Sequence, residues 1–284
     1  MNIAICGLGL IGGSFGRTLV AKTDHTVFAT DIDKVALKTG ELIKAYHHEL
    51  TDDNIKNIDI LFVALYPRTA ISVIKKYAPK LKKGAMIVDL CGNKRTICSA
   101  LKEISKDYPE LDIISSHPMA GREFSGIKHS TQSLFERASM ILVPVKADIR
   151  KISAFKEFCL SIGFSTVVVT TAEEHDRIIS YTSQLAHIVS SAYIKSPTAE
   201  NYLGFSAGSF RDMTRVARLS PEMWTELMAD NRDNLVREIE CMIENLKDYA
   251  KVLKENDEEK LYKLLEDGTN KKLLAEKMKN KKID

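Results

Sequence analysis

The chain of 284 residues carries 41 lysines and arginines against 38 aspartates and glutamates, and 44% of its residues are hydrophobic. This near-balance of charge gives no broad basic surface for nucleic acid, and no apolar run approaches the roughly 20 residues of a membrane span. The five cysteines form no CxxC pair, which argues against a disulfide framework or a zinc site and favours the cytoplasm. The length predicts two domains.

The first part of the chain alternates short apolar runs with helical patterns. The runs are mostly continuous, which is typical of strands buried on both faces of a parallel sheet. Helical stretches such as Ser14–Lys22 and Ile71–Lys80 lie between them. This alternation predicts a doubly wound, mostly parallel α/β sheet. The predicted strands are Asn2–Cys6, Thr26–Asp31, Ile58–Ala64, Ala85–Leu90, Asp112–Ser116, Ser139–Val145 and Ser165–Thr170.

A glycine-rich loop, GLGLIGG, joins the first predicted strand to the first helix. Gly7, Gly9 and Gly12 make a GxGxxG pattern, and Asp31 ends the next strand 19 positions after the third glycine. This order of strand, loop, helix and acidic residue is the dinucleotide fingerprint of Rossmann-type domains. The first glycine allows a tight turn, the second lets the backbone approach a pyrophosphate, and the third lets helix and strand pack closely.

The cofactor expected at this loop is NAD. The helix start at Leu10 and Ile11 offers free N–H groups to phosphates. Asp31 can accept hydrogen bonds from a ribose 2′-hydroxyl and would repel a 2′-phosphate. Lys34 and Lys38 lie close in sequence and leave NADP open. The alternative is a structural glycine turn that binds no nucleotide.

Two loops follow the fourth and fifth predicted strands, at the end of the sheet where a nicotinamide lies in this fold. They are LCGNKR and HPMAGREFSG, and the second begins at His117, just past its strand. A histidine has an ordinary pKa of about 6.5 and can accept the hydroxyl proton during oxidation by NAD. The alternative is a loop histidine that merely caps the strand.

The pattern changes near Ala172, after which no convincing strand follows. EEHDRIISYTSQLAHIVSSAYI repeats apolar residues at three- and four-residue intervals, and so does a long segment from Pro221 to about Leu253. The chain therefore divides into an NAD-binding domain, residues 1–171, and an all-helical domain, residues 172–284, for substrate and dimerisation. Long apolar-faced helices need a partner surface, so we expect a homodimer through the helical domain.

The helical domain supplies further candidates for the site. His187 lies between apolar positions with Gln184 one turn away, and a core histidine is the alternative. SFRDMTRVAR places Arg211, Asp212, Arg215 and Arg218 close together, and an arginine held by the aspartate would be a preorganised carboxylate clamp. A solvated helix face is the alternative there. Trp224, the only tryptophan, is otherwise a core or interface residue.

The segments GLGLIGGS, HPMAGREFSG, SQLAH and FRDMTRVA followed by SPEMW resemble prephenate dehydrogenases, the TyrA proteins of tyrosine biosynthesis, over residues 1–255. The resemblance implies oxidative decarboxylation of prephenate to 4-hydroxyphenylpyruvate with NAD⁺ as hydride acceptor and without a metal. It implies that His117 is the catalytic histidine at the ring hydroxyl, that His187 is a second active-site histidine, and that Arg215 grips a substrate carboxylate.

Other roles also follow from the resemblance. Asp212 would orient Arg215, Glu123 would lie at the pocket mouth, and Trp224 would lie near the site, with a route to it across a dimer. Gln184 is counted with the substrate-binding residues.

Two positions depart from the family pattern. Many family members carry a GSxK segment whose serine assists the catalytic histidine, whereas this chain has Cys91-Gly92-Asn93-Lys94. Asn93, a water or the backbone is expected in the serine's place. Arg122 stands where a small polar residue is common and could add a carboxylate contact.

Three rival functions stay open. Arogenate has an amino group where prephenate has a keto group, and no residue here decides between the two substrates. A β-hydroxyacid dehydrogenase shares the general plan, but those enzymes usually rely on a lysine of the helical domain, and HPMAG with SQLAH argues against them. A non-catalytic NAD-binding sensor would not need the filled set of site residues.

Overall fold

The computed structural model describes residues 1–281, so residues 282–284 of the predicted helical domain lie outside the described part. The chain forms two compact units, Met1–Arg232 and Asp233–Asp284. The predicted division at residue 172 separates two types of fold rather than two compact bodies, and it stays a prediction. No helix within residues 1–281 combines the length and the apolar character that a membrane crossing requires.

The first unit contains one eight-stranded sheet whose topology confirms the predicted fold class. Its strands are β1 (Asn2–Cys6), β2 (Thr26–Thr30), β3 (His48–Glu49), β4 (Ile60–Val63), β5 (Met86–Asp89), β6 (Asp112–Pro118), β7 (Ser139–Lys146) and β8 (Thr166–Val169). The strand order is β3-β2-β1-β4-β5-β6-β7-β8. Neighbours are parallel except β6 and β7. The strand numbers fall from β3 to β1 and then rise from β4, so the connections reverse direction between β1 and β4. Such a reversal is the topological switch point, where ligands bind in these sheets.

Two details of the sheet differ from the sequence expectation. The two-residue strand β3 was not predicted, because it is short and exposed and has no apolar run. Strand β6 continues through His117 and Pro118, so the catalytic candidate lies inside the strand and not past it. The antiparallel partner β7 extends the pairing, with His117 opposite Ile141 and Pro118 opposite Met140.

Five helices cover the two faces of the sheet: α1 (Leu10–Lys22), α2 (Lys34–Leu42), α3 (Pro67–Tyr77), α4 (Arg95–Asp107) and α5 (Ile149–Ser161). Alternate residues of β1 belong to separate core clusters, as the period of two in a strand requires. Ala4 packs in the cluster that holds the buried residues of α3 and α4. Ile3 packs in the cluster that holds those of α1 and α5.

Only helices follow β8 in the described chain: α6 (Ala172–Ile179), α7 (Ala186–Ile194), α8 (Gly208–Thr214), α9 (Pro221–Asp230), α10 (Arg232–Lys254) and α11 (Glu258–Lys281). A π-helical segment, Ser180–Leu185, joins α6 to α7. The long segment predicted from Pro221 is two helices, because the chain leaves helical geometry at Asn231. The buried Asn231 amide donates to Asp176 O and Gln184 Oε1.

Candidate active site

Two glycines of the loop between β1 and α1 leave no room for a side chain. Gly7 has a φ of +94°, and a Cβ there would lie 2.5 Å from the Ala64 carbonyl oxygen. A Cβ on Gly12 would lie 1.8 Å from the Gly7 carbonyl oxygen. Both positions therefore require glycine, in the turn and in the helix–strand contact that the sequence indicates.

Gly9 lies in a different setting, because a Cβ there would meet nothing within 4 Å. Its backbone therefore borders open space, where a ligand can approach. Helix α1 begins at Leu10 and Ile11, and no side chain caps it. The first N–H groups of the helix are thus available to an anion such as a pyrophosphate.

Asp31 directly follows β2 and is tied to the same loop. Its Oδ2 accepts a hydrogen bond from Leu8 N at 2.6 Å, and its Oδ1 accepts one from Asp33 N at 2.8 Å. A cavity of about 300 Å³, lined by Asp31, Asp33 and the 125–129 segment, opens beside it. An uncapped helix start beside a carboxylate that can accept hydrogen bonds from ribose hydroxyls fits a dinucleotide, and the cavity also contains Lys128 and His129.

His117 is the penultimate residue of β6, and its ring is held by a second histidine. Its Nδ1 lies 2.9 Å from His175 Nε2. Burial lowers the pKa of His117 well below its ordinary value, and the neighbouring His175 and Lys94 lower it further. The His117 imidazole is therefore neutral at pH 7, in the state that accepts a proton.

Asp176 continues this chain of contacts, since its Oδ1 lies 2.7 Å from His175 Nδ1. The carboxylate also accepts hydrogen bonds from Lys94 N at 2.7 Å and Arg95 N at 2.9 Å, at the start of α4. Burial alone would raise the pKa of Asp176, but the hydrogen bonds from His175, Arg95 and Lys94 bring it below its ordinary value. Asp176 is therefore an anion anchored at a helix N-terminus.

A buried ion pair supports the strand that carries His117. Lys94 and Asp89 are both 0% exposed, with Nζ 2.6 Å from Asp89 Oδ1. The same ammonium donates to Ser115 Oγ at 3.0 Å and to Ser116 O at 2.6 Å. All three Lys94 donors are thus used, and two of them fix the residues immediately before His117 in β6.

Asn93 and Gln184 lie in a buried amide network. Asn93 Nδ2 donates to Leu227 O at 2.6 Å, and Asn93 Oδ1 accepts from Gln184 Nε2 at 3.0 Å. Gln184 Oε1 accepts from Asn231 Nδ2 at 2.9 Å. These amides tie α9 to the loop after β5, and their contact with substrate stays a prediction. His175 meets Nδ1 of His117, and the expectation that Asn93, a water or the backbone stands in for the assisting serine stays a prediction.

His187 and Trp224 lie together within one chain. His187 Nδ1 lies 3.0 Å from Val216 O, so the backbone carbonyl accepts its hydrogen. Its ring centroid lies 4.1 Å from that of Trp224. The tryptophan therefore reaches His187 without a second copy of the chain. The ring nitrogen Nε2 of His187 is the one left for a ligand.

Arg215 forms an ion pair with Glu123 between the end of α8 and the loop after β6. The predicted contact of Arg215 with Asp212 does not form: across the described residues, Glu123 is the carboxylate that Arg215 meets. The N–H of Glu123 itself and the Arg215 side chain lower the pKa of Glu123. Arg122 Nη1 reaches His129 O at 3.5 Å, beside the cofactor cavity, so its contact with a substrate carboxylate stays a prediction.

The sequence interpretation missed the pair His175 and Asp176. Both are buried, at 2% and 0% exposure, in a stretch that was taken only for its helical period. Two adjacent polar residues on the apolar side of a helix were the available signal, because such groups are buried only with partners. Lys94 and Asp89 gave a similar signal, as an aspartate ends a buried strand five residues before a lysine.

Comparisons with known proteins assign the chain to one family. The family model described as "Prephenate dehydrogenase, nucleotide-binding domain" matches residues 15–168. The model described as "Prephenate dehydrogenase, dimerization domain" matches residues 171–267. The two matches follow one another along the chain, as the sheet and the helices do.

Individual relatives agree with these matches. A cyclohexadienyl dehydrogenase of Zymomonas mobilis is 30% identical over 257 residues, which cover 87% of this chain and 86% of the relative. A prephenate dehydrogenase of Bacillus subtilis is 26% identical over 92% of this chain and 72% of its own length. The crystal structure of an Aquifex aeolicus prephenate dehydrogenase in complex with hydroxyphenyl propionate and NAD⁺ superimposes with a TM-score of 0.82. It has 24% identity and covers 96% of this chain and 97% of its own. This last likeness supports the fold.

Proposed function

Because the chain belongs to the family of prephenate dehydrogenases, we propose that it converts prephenate to 4-hydroxyphenylpyruvate by oxidative decarboxylation in tyrosine biosynthesis. The observation that carries this proposal is His117, a neutral imidazole at the carboxyl end of β6. Strands β1, β4, β5 and β6 are parallel to one another, so the glycine loop that follows β1 lies at the same end of the sheet as His117. A base and a dinucleotide cradle therefore share one edge.

The residues present fit NAD⁺, which supplies the hydride acceptor when it is bound. The proposed contacts are Gly7, Gly9 and Gly12 with the helix start at Leu10 and Ile11 for the pyrophosphate. Asp31 would take the ribose hydroxyls. Its carboxylate uses one hydrogen bond on each oxygen and keeps lone pairs on both. This arrangement favours NAD over NADP.

His117 is the proposed base for the hydroxyl of the substrate ring. Its Nδ1 is occupied by His175, which leaves Nε2 to accept the proton as the hydroxyl carbon is oxidised. Loss of carbon dioxide from the opposite, quaternary carbon then makes the ring aromatic. The gain of aromaticity drives this second step without a further catalytic group.

Cationic side chains would hold the carboxylates of the substrate, because a dianion cannot be desolvated without such partners. Arg215 is the proposed clamp, and its guanidinium forms an ion pair with Glu123. Arg122 lies in the same loop as Glu123 and can add a second cation. His187 offers Nε2, since its Nδ1 is committed to a carbonyl.

Arogenate is the second candidate substrate. A relative at 30% identity carries the name cyclohexadienyl dehydrogenase, and prephenate and arogenate share that ring. The two acids differ only in a keto or an amino group on the side chain, away from the hydroxyl that His117 would meet.

The experiment is a spectrophotometric assay at 340 nm with both acids and both dinucleotides. We expect reduced NAD to form with prephenate, and the rate with NADP⁺ to be lower. Reaction with arogenate alone would replace prephenate as the substrate, and reaction with neither acid would overturn the proposed function. Preference for NADP⁺ would overturn only the role of Asp31.

We propose a homodimer in the cytoplasm as the working form of the enzyme. The match to a family model described as a dimerization domain supports the homodimer. Apolar side chains that the second unit exposes also support it. These are Val236, Ile243, Leu246, Leu253, Tyr262 and Leu265. The five unpaired cysteines support a reducing compartment. Sedimentation equilibrium should give twice the chain mass of 31.8 kDa, and a single-chain mass at micromolar concentration would contradict the dimer.

A further inference from the structure

We propose that His175 and Asp176 are positioning residues that set the tautomer of His117 and keep its Nε2 unprotonated. The three side chains form one line of contacts: His117 Nδ1 to His175 Nε2 at 2.9 Å, and His175 Nδ1 to Asp176 Oδ1 at 2.7 Å. The kinetic consequence rests on the proposed function, whereas the tautomer itself does not.

The direction of each hydrogen bond follows from the carboxylate. An ionised aspartate only accepts hydrogen bonds, and Asp176 already accepts them from Lys94 N and Arg95 N. Its contact with His175 Nδ1 therefore requires a hydrogen on that nitrogen. A neutral imidazole carries one hydrogen, so Nε2 of His175 presents a lone pair.

That lone pair decides the state of the catalytic histidine. The short contact between His175 Nε2 and His117 Nδ1 contains one hydrogen, and it must belong to His117. In neutral His117 the other nitrogen, Nε2, is then the acceptor. The hydrogen bond made by one ring nitrogen thus selects the function of the other.

Proton uptake leaves this arrangement intact. When His117 Nε2 takes a proton, Nδ1 still donates to His175, and the new positive charge faces a lone pair backed by the Asp176 anion. Lys94 and Arg95 are cations near this line of contacts, and they pair with Asp89 and Asp176 respectively. No side chain behind His117 has to rotate, which is the preorganisation that efficient proton transfer requires.

A purely structural role predicts different behaviour. Asp176 also satisfies two N–H groups at the start of α4, and this contact would persist without any histidine. The variants must therefore separate the support of α4 from the control of His117. His175→Leu removes the acceptor, whereas His175→Gln places a carbonyl oxygen near the position of Nε2. His48→Gln changes an exposed histidine of β3 and serves as the matched control.

The first experiment is ¹⁵N NMR of the full-length protein labelled in its seven histidines. At pH 7.5, His117 and His175 should both appear as neutral Nδ1–H tautomers, assigned through the loss of one signal set in each variant. Asp176→Asn can donate to His175 Nδ1, so both rings should shift towards the Nε2–H form. An Nε2–H tautomer of His117 in the unmodified protein would overturn the proposal.

The second experiment compares the variants in the 340 nm assay. His175→Leu should lower kcat on the order of 10²- to 10⁴-fold, because the general base loses its correct tautomer, with the KM for prephenate and the Kd for NAD⁺ within about threefold. The kcat of His175→Gln should be about tenfold higher than that of His175→Leu. Activity of the leucine variant equal to that of His48→Gln, or no recovery with glutamine, would overturn the proposal.

The two readouts fail independently. A chain that oxidised neither acid would overturn the proposed function, and the NMR spectrum would still decide the tautomer. A leucine variant that did not fold would leave the glutamine variant and the spectrum of the unmodified protein to decide.

Discussion

The ion pairs Lys94–Asp89 and Arg215–Glu123 place similar charges in opposite surroundings. The Lys94 and Asp89 side chains are 0% exposed, whereas those of Arg215 and Glu123 are 61% and 34% exposed. Removing one partner of a buried pair leaves the other as an uncompensated buried charge, whereas an exposed pair is weakened by water and salt. Opening the first pair should therefore cost much more free energy than opening the second.

On this difference we propose separate tasks for the two regions. Lys94 donates to the two serines before His117 and so supports the position of this proposed base. Arg215 can release Glu123 when a substrate carboxylate arrives, because little is lost when the exposed pair opens. We therefore expect the buried region to control stability and kcat, and the exposed region to control KM.

Breaking the buried pair should give the largest change in stability. Lys94→Met leaves Asp89 as an unpaired buried carboxylate, whose Oδ2 already has no hydrogen-bond partner in the described residues. We expect the free energy of unfolding to fall by about 3–5 kcal/mol, measured by urea denaturation. Arg215→Ala, the matched change at the exposed pair, should leave the urea midpoint unchanged within error.

A second variant checks the cause of this loss. Lys94→Met combined with Asp89→Asn removes both charges and should recover part of the stability, since no ion stays unpaired. Equal destabilisation by the single and the double variants would contradict the ion-pair explanation. A clear loss of stability in Arg215→Ala would contradict the contrast between the two regions.

The exposed pair should show its effect in substrate binding. Arg215→Ala should raise the KM for prephenate on the order of 10- to 100-fold, since hydrogen bonds to charged groups contribute about 1.5–3 kcal/mol. Arg215→Lys keeps the charge but loses the planar guanidinium, so its KM should lie between those of the unmodified enzyme and Arg215→Ala. Steady-state kinetics at fixed ionic strength measures both. An unchanged KM in Arg215→Ala would show that another group binds the carboxylate.

The pH dependence should show the smallest effect. Burial lowers the pKa of His117. The imidazole therefore stays neutral at pH values below the ordinary pKa of a histidine, and it is protonated only at still lower pH. Between pH 7.5 and 6.0, kcat/KM should fall less than about twofold, whereas a histidine with a pKa of about 6.5 would lose about fourfold. A fourfold loss over this range in the free enzyme would contradict the lowered pKa of His117.

The sequence predicted what local signals encode. Apolar runs gave the strands, and the glycine spacing with Asp31 gave the dinucleotide cradle. The partner of His117 was not predictable in this way, since His175 lies 58 residues further along the chain. The pairing depends on how α6, which carries His175, lies relative to the end of β6, which carries His117. No short sequence pattern contains that information.

The clamp shows the same limit. The family resemblance implied that Asp212 orients Arg215, and their spacing of three residues, which places side chains near one another on a helix, agreed with it. Glu123 takes this place from a distance of 92 residues. The error arose because a local spacing was preferred over a contact that only the tertiary fold creates.

The central claim is that His117 acts as the base in the oxidation of prephenate by NAD⁺. The most direct test is His117→Asn, with kcat measured at saturating prephenate and NAD⁺ and cofactor affinity measured by fluorescence titration. We expect kcat to fall on the order of 10²- to 10⁴-fold, which is the usual contribution of a general base, while the Kd for NAD⁺ changes less than about threefold. A kcat within about threefold of that of the unmodified enzyme would contradict the claim.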